Sequence, residues 1–256
     1  MVMILSSIII ILREALEAAL LVSLLLALSN RLELSKYWMT IAFGVGLVGS
    51  ILFAVWLAPI TSSFNGTGQE LLNAGLHLLI TATLIVVVYC WFGGFHNNAL
   101  TGAMVIAVAA AVVREGSEIW IYYSSFLSVP EIFLKTLIGG TLGLLIGVSV
   151  GALLYYTLTL LRTEYNRWIS IVLLTFVAAG MTSQAINSLI QADYLSATVS
   201  VWDSSTIVDE NSITGQLLYA LMGYEATPMP AQLLSYVLIV VAFLGTGIWM
   251  RAKSAG

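Results

Sequence analysis

A single cysteine, Cys90, stands in 256 residues, so the chain can close no internal disulfide and offers no thiolate set for a metal. Charge is almost as scarce. Lys, Arg, Asp and Glu together make up 9% of the residues against 60% hydrophobic, and a mean hydropathy of +1.00 excludes an ordinary soluble domain. The 9 Lys+Arg against 13 Asp+Glu leave a formal net charge of −4, with no basic surface for nucleic acid. No basic stretch precedes the first apolar run, which continues to about Leu28, past the length of a secretory leader. That run is expected to stay attached and to cross the membrane.

What the chain has in abundance is apolar runs of membrane length. They fall at about 2–28, 37–59, 71–91, 100–127, 133–161, 168–190 and 231–250. The predicted class is an all-α integral membrane protein of seven transmembrane helices, forming one transmembrane domain over 1–256. Small residues recur every four positions in the second run (Ala42, Gly46, Ser50, Ala54) and in the fifth (Gly139, Gly143, Gly147, Gly151). Such ridges let a neighbouring helix approach closely, as do Ala15, Ala18 and Ala19 in the first run. The connection 92–99, with Gly93, Gly94, His96, Asn97 and Asn98, reads as a tight polar turn. The one long non-membrane segment, about 191–230, carries Asp193, Asp203, Asp209, Glu210 and Glu225 and no Lys or Arg. It reads equally as a solvated acidic loop and as a vestibule that attracts cations.

Two charged motifs interrupt this lipid-soluble pattern. Arg13-Glu14-Ala15-Leu16-Glu17 lies in the first run and Arg114-Glu115-Gly116-Ser117-Glu118 in the fourth. On a helix turning roughly 100° per residue, the two Glu of each copy lie about 60° apart and share a face. Each Arg precedes the second Glu by four residues, the spacing at which opposite charges on a helix meet. Each copy therefore keeps one uncompensated negative charge. Holding six such side chains in hydrocarbon costs roughly 2.5–3.5 kcal/mol each before pairing, and intramembrane ionisable groups are functional by default. Internal salt bridges that orient helices are the plainer explanation, but they leave two carboxylates without partners. The sharper expectation is that the motifs face each other near the midplane and that Glu14, Glu17, Glu115 and Glu118 receive a transiting cation, supported by Arg13 and Arg114. An all-oxygen set suits a hard metal ion. Secondary candidates are Glu70 and Asn73 near the start of the third run, His77 four residues beyond Asn73, Tyr122 one turn beyond Glu118, and Asp203. A lone His in an apolar helix is more often hydrogen-bonded to a neighbour than a ligand.

Seven spans place the two ends on opposite sides. With the amino terminus outside, Arg31, Lys36, Arg162, Arg167, Arg251 and Lys253 face the cytoplasm together with the carboxyl terminus, and Lys135 alone lies outside. The acidic 191–230 segment is then external. Runs one to three (about 1–99) and four to six (about 100–191) read as two copies of one unit: charged motif, small-residue ridge, polar third helix. An odd number of helices per unit gives the copies opposite orientation, the inverted repeat of secondary transporters, with a seventh helix outside it.

Two RExxE motifs, in the first and fourth of seven spans, resemble the iron permeases of the oxidase-dependent iron transporter family. The likeness extends to Gln69-Glu70-Leu71, to Phe176-Val177-Ala178-Ala179-Gly180, and to Gly223-Tyr224 followed by Pro228. It covers essentially the whole chain. The resemblance implies a permease that is not an enzyme, taking up iron across the plasma membrane, or the inner membrane of a Gram-negative cell. Iron would be a transported substrate rather than a resident cofactor. It also implies that the four RExxE carboxylates handle the ion, and that an external oxidase or iron-binding protein hands it over. Where the family has Gly in the middle of the motif, the first copy here has Ala15, and where relatives show a Glu-Gly pair in the third helix, this chain has Asn73 and then Ala74-Gly75. Three rival readings remain at this point: the same architecture carrying manganese or lead, an intramembrane carboxylate-metal enzyme, and a structural subunit. The enzyme reading lacks the Glu-x-x-His pairs of di-iron bundles, since neither His77 nor His96 has a Glu three residues earlier.

Overall fold

The structure, a computed structural model, describes residues 2–93 and 98–254. Among these the regular elements are all helices, without a strand. The helices are α1 (Val2–Arg31), α2 (Tyr37–Val55), α3 (Leu57–Ser62), α4 (Gly68–Gly93), α5 (Asn98–Ser124), α6 (Pro130–Leu160), α7 (Thr163–Gln191), α8 (Ile213–Met222) and α9 (Pro230–Ser254). Five of them are long and apolar enough to cross a membrane: α2, α4 over Gly68–Trp91, α5, α6, and α7 over Ile169–Gln191. The protein is a multi-pass membrane protein. Helix α1 has the length but carries Arg13, Glu14 and Glu17 in its middle.

The small-residue ridges are where the helices meet. Helix α6 lies along α1, and a Cβ added at Gly139 or Gly143 would stand 2.5 Å from the carbonyl oxygen of Ile4 or Ile8. At Gly147 and Gly151 it would meet the Ala15 and Ala19 methyls at 2.6 and 2.7 Å. The glycines thus bring backbone onto backbone, where lipid supplies no hydrophobic driving force and close packing must hold the pair. Helix α2 uses its ridge in the same way on α5: Gly46 faces Val112, and the Ser50 hydroxyl donates to the Val112 carbonyl at 2.9 Å. Helix α4 packs between α5 and α7, and α9 lies against α7. The outward faces of α2 and α6 are apolar and exposed, including Leu47, Val48, Ile51 and Leu52 on one and Leu142, Leu145, Val148 and Leu153 on the other. That is the surface lipid requires.

Two regions depart from the sequence expectation. The second run does not continue to residue 59. Helix α2 stops at Val55, and after Trp56 the separate α3 carries Pro59 at its third position, where the missing N–H interrupts no helical hydrogen bond. Phe64, Asn65 and Gly66 then take positive φ (52°, 62° and 95°) to turn the chain into α4. The second departure is α8, inside the segment read as loop. Ser212 caps it by accepting from the Gly215 N–H at 3.0 Å, and Gly223 ends it with φ 65°. Gly223 can sit there because Gly180 of α7 faces it: a Cβ at Gly180 would lie 2.8 Å from the Gly223 Cα. Helix α8 is held this way against α1 and α7. The turn residues Gly94, His96 and Asn97 lie outside the described residues.

Candidate functional site

The RExxE copies sit mid-helix on α1 and α5, on faces that neighbouring helices cover. The structure brings them together around one side chain. The buried Arg114 guanidinium, 3% exposed, donates to Glu17 Oε2 of α1 at 2.5 Å and to Glu115 Oε1 at 2.7 Å. Its second terminal nitrogen reaches Glu118 Oε1 at 3.2 Å, the i,i+4 pair expected from the spacing. Arg13 behaves differently. Its Nε stands 3.5 Å from Glu17 Oε1, its side chain is 40% exposed, and its guanidinium carbon lies 4.1 Å from the centre of the Tyr219 ring on α8. A cation over an aromatic face is attracted by the ring quadrupole.

Four carboxylates face two guanidiniums, and the polar atoms are not all satisfied. Glu14 Oε2, Glu17 Oε1 and Glu115 Oε2 are buried without a hydrogen-bond donor, as is the Arg114 Nε without an acceptor. Glu14 and Glu115, from different helices, lie directly against each other. A buried acceptor left bare costs about 1–3 kcal/mol, and Glu17 Oε1 alone of the three has an ion-pair partner, the Arg13 Nε at 3.5 Å. Among the described residues no group of three or more His, Cys, Asp or Glu is arranged to hold a metal ion as it stands. The Arg114 guanidinium occupies the point where the carboxylates converge.

Arg114 also divides the surroundings in two. On one side is a polar cavity of about 460 Å³ that reaches Glu118, Arg114 and Arg13. Its mouth is formed by Gln69 at the start of α4, Ser125 just past α5, and Gln191 at the end of α7. On the other side, Glu14 and Glu115 line an apolar crevice of about 1070 Å³ between α1, α2, α5 and α6. The four carboxylates expected to form one cluster are thus divided, Glu118 facing the polar cavity and Glu14 and Glu115 the crevice. Glu17 lines neither, sealed between the two arginines.

The secondary candidates separate as well. Asn73, His77 and Tyr122 line the polar cavity together with Gln184 and Asn187. Asn73 Nδ2 donates to Glu118 Oε1 at 3.4 Å, and the Tyr122 hydroxyl pairs with Ser7 Oγ of α1 at 2.8 Å. Glu70 keeps one unpartnered buried oxygen but does not line the cavity. Asp203 is exposed and accepts from the Ser205 N–H at 2.9 Å and hydroxyl at 2.6 Å, which holds its carboxyl below the usual range. Three of the other four acids of that segment are engaged in the same way. Asp209 caps Asn211 at 2.8 Å, Glu210 accepts from the Ala226 N–H, and Glu225 accepts from Gln232 Nε2 at 2.6 Å, with burial pushing its carboxyl up. None of the five acids lines the polar cavity. Tyr219 escaped the sequence reading. Its one signal is a helix-capping serine seven residues earlier inside a segment that otherwise reads as loop.

Comparison with known proteins points the same way. Two relatives named ferrous iron permease EfeU align over nearly the whole chain. One, from Yersinia pestis, is 25% identical over 253 residues, covering 91% of this chain and 89% of its own. The other, from Escherichia coli O6:H1 (strain CFT073), is 26% identical over 256 residues, covering 92% of each. No solved structure matches. The model of the iron permease FTR1 family matches residues 95–252, which include the whole second RExxE motif, and the chain belongs to that family.

Proposed function

We propose that the protein carries iron, as Fe(II), across a cell membrane by way of the carboxylates gathered around Arg114. The observation that carries this reading is the convergence of Glu17, Glu115 and Glu118, from two helices, on one buried guanidinium, with Glu14 Oε2 and Glu115 Oε2 unpartnered beside it. Family membership and relatives named as ferrous iron permeases supply the ion. The cation enters the polar cavity, meets Glu118, and reaches Glu17 and then Glu14 and Glu115 only when Arg114 swings aside. Fixed carboxylates in a site closed to water act far more strongly than in water.

In this reading seven helices cross the membrane, α1 and α9 joining the five that qualify by composition. The amino terminus is outside, so the basic residues between α1 and α2 and between α6 and α7 face the cytoplasm, and the polar cavity opens outward. Two units, α1, α2 and α4 against α5, α6 and α7, are related as an inverted repeat. The reciprocal packing supports this: the first helix of each unit lies on the second of the other, and the two third helices meet. An external oxidase or iron-binding protein would then deliver the ion beside α8, in the plasma membrane or the inner membrane of a Gram-negative cell.

The test is radio-iron accumulation in cells expressing single variants. Gln at Glu14, Glu17, Glu115 or Glu118 should abolish accumulation, while Glu33→Gln, in the connection after α1, should leave it intact. Uptake that survives Glu17→Gln and Glu115→Gln together would overturn the route. Because carboxylates alone separate first-row divalent ions poorly, competition of Mn(II) against iron uptake measures how far the site itself selects.

A further inference from the structure

Four buried polar atoms of residues that line the polar cavity lack a hydrogen-bond partner, and because a neutral imidazole keeps a proton on one nitrogen they amount to three acceptors and one donor. His77 Nδ1 and Nε2, Asn73 Oδ1 and Gln184 Oε1 are all buried, and none has a hydrogen-bond partner. His77 is 2% exposed, on the helix face that the cavity undercuts. Its ring comes close enough to the Asn73 backbone one turn back and to the Gln184 side chain of α7 to interact with both, though neither contact reaches full hydrogen-bond geometry. Asn73 turns its amide nitrogen to Glu118 Oε1 at 3.4 Å, which leaves its oxygen turned elsewhere and ties this group to the RExxE layer beneath. Three side chains from two facing helices thus present their acceptors to one cavity, and a carboxylate stands at its floor.

We propose that His77, Asn73 and Gln184, with Glu118 below them, form a second, outer site for a divalent first-row metal ion. The inference rests on the transport reading above and adds to it a site chemically unlike the RExxE layer. One imidazole nitrogen and two amide oxygens make a mixed, neutral set, and imidazole favours borderline ions such as Fe(II) over Ca(II) or Mg(II), whose preferred ligands are oxygens. Because the neutral donors hold no charge of their own, the ion stays weakly bound and can pass on to Glu118. The outer site selects and the carboxylate layer below conducts.

The full-length protein, purified with a tag free of histidine and placed in lipid nanodiscs, is titrated with Mn(II), and pulsed EPR reads any nitrogen coupled to the bound metal. The chain has only two histidines, so the source can be assigned. Nitrogen coupling is expected in the unaltered protein, in His96→Gln and in the double variant Glu17→Gln/Glu115→Gln, and should vanish in His77→Gln. Bound Mn(II) without nitrogen coupling, or coupling that survives His77→Gln, would overturn the site: water alone would then satisfy these acceptors. Should His77→Gln fail to fold, Gln184→Leu decides. It should weaken Mn(II) binding at least about tenfold, losses beside metal ligands being typically 10–100-fold, while coupling persists at saturation; unchanged affinity counts against the site. In cells, His77→Gln should raise the KM for iron by a similar factor and leave the maximal rate largely intact. Nitrogen coupling in a protein that moves no iron would sink the transport reading alone, whereas transport without coupling would sink the outer site alone.

Discussion

The two RExxE copies share their spacing and little else. On α5, Arg114 is buried and reaches three carboxylates, two on its own helix and one on α1. On α1, Arg13 keeps a single longer ion pair and spreads over Tyr219 at the rim of the polar cavity. Identical local sequence signals therefore produce a keystone in one copy and a rim contact in the other. The difference arises from neighbours: α8 presents an aromatic face to Arg13, while Arg114 has Glu17, Glu115 and Glu118 within ion-pair distance. The two motifs acquire separate roles because α8 lies against α1 and its Tyr219 meets only Arg13.

The comparison can be broken by making the copies equal. Arg114→Gln should be the most damaging change, because it leaves the buried Glu115 without a counter-charge and Glu17 with only the longer Arg13 pair; removing one partner of a buried pair costs about 3–5 kcal/mol. A thermal melt of the purified protein and iron accumulation in cells should both collapse. Gly143→Val comes next: its side chain would press on the Ile8 carbonyl and part α1 from α6, an overpacking cost of about 1–3 kcal/mol visible in the same melt. Arg13→Gln should be milder, losing a screened ion pair and a cation–π contact worth about 0.5–1 kcal/mol together. If Arg13→Gln destabilises as much as Arg114→Gln, the asymmetry described above is incorrect. Tyr219→Phe should change least, since the ring that Arg13 covers remains, and a melt shifted by no more than measurement error is the expected result.

Much of this architecture was legible because a bilayer leaves few choices. Apolar runs, ridges of small residues and six charges out of place are local patterns, and the ridge Gly139–Gly151 announces a close helix contact without naming α1 as the partner. Where the chain leaves those patterns, local reading lost its grip. Pro59 looked like the end of a span, yet it sits in the first turn of a new helix. The ten residues of α8 are too short to announce themselves among polar neighbours, so Tyr219 and its hold on Arg13 stayed hidden. The acids of 191–230 read equally as a solvated loop and as a vestibule for cations, because composition does not show that Asp203, Asp209, Glu210 and Glu225 are already engaged by nearby donors. The split of the carboxylates between two openings depends on where Arg114 points, which no spacing rule gives.

Arg114 has one more consequence, for ions the protein should refuse. A guanidinium tethered to α5 already brings a single positive charge to three carboxylates and loses little freedom in doing so. Sodium or potassium would bring the same charge, shed its hydration shell and give up its free motion, all to win contacts the side chain already makes. An ion of twofold charge faces a different balance, because its attraction to the same oxygens is about double at equal distance. On the proposed route a built-in monovalent competitor would thus set a valence threshold, keeping the resting protein shut to the commonest cations around it.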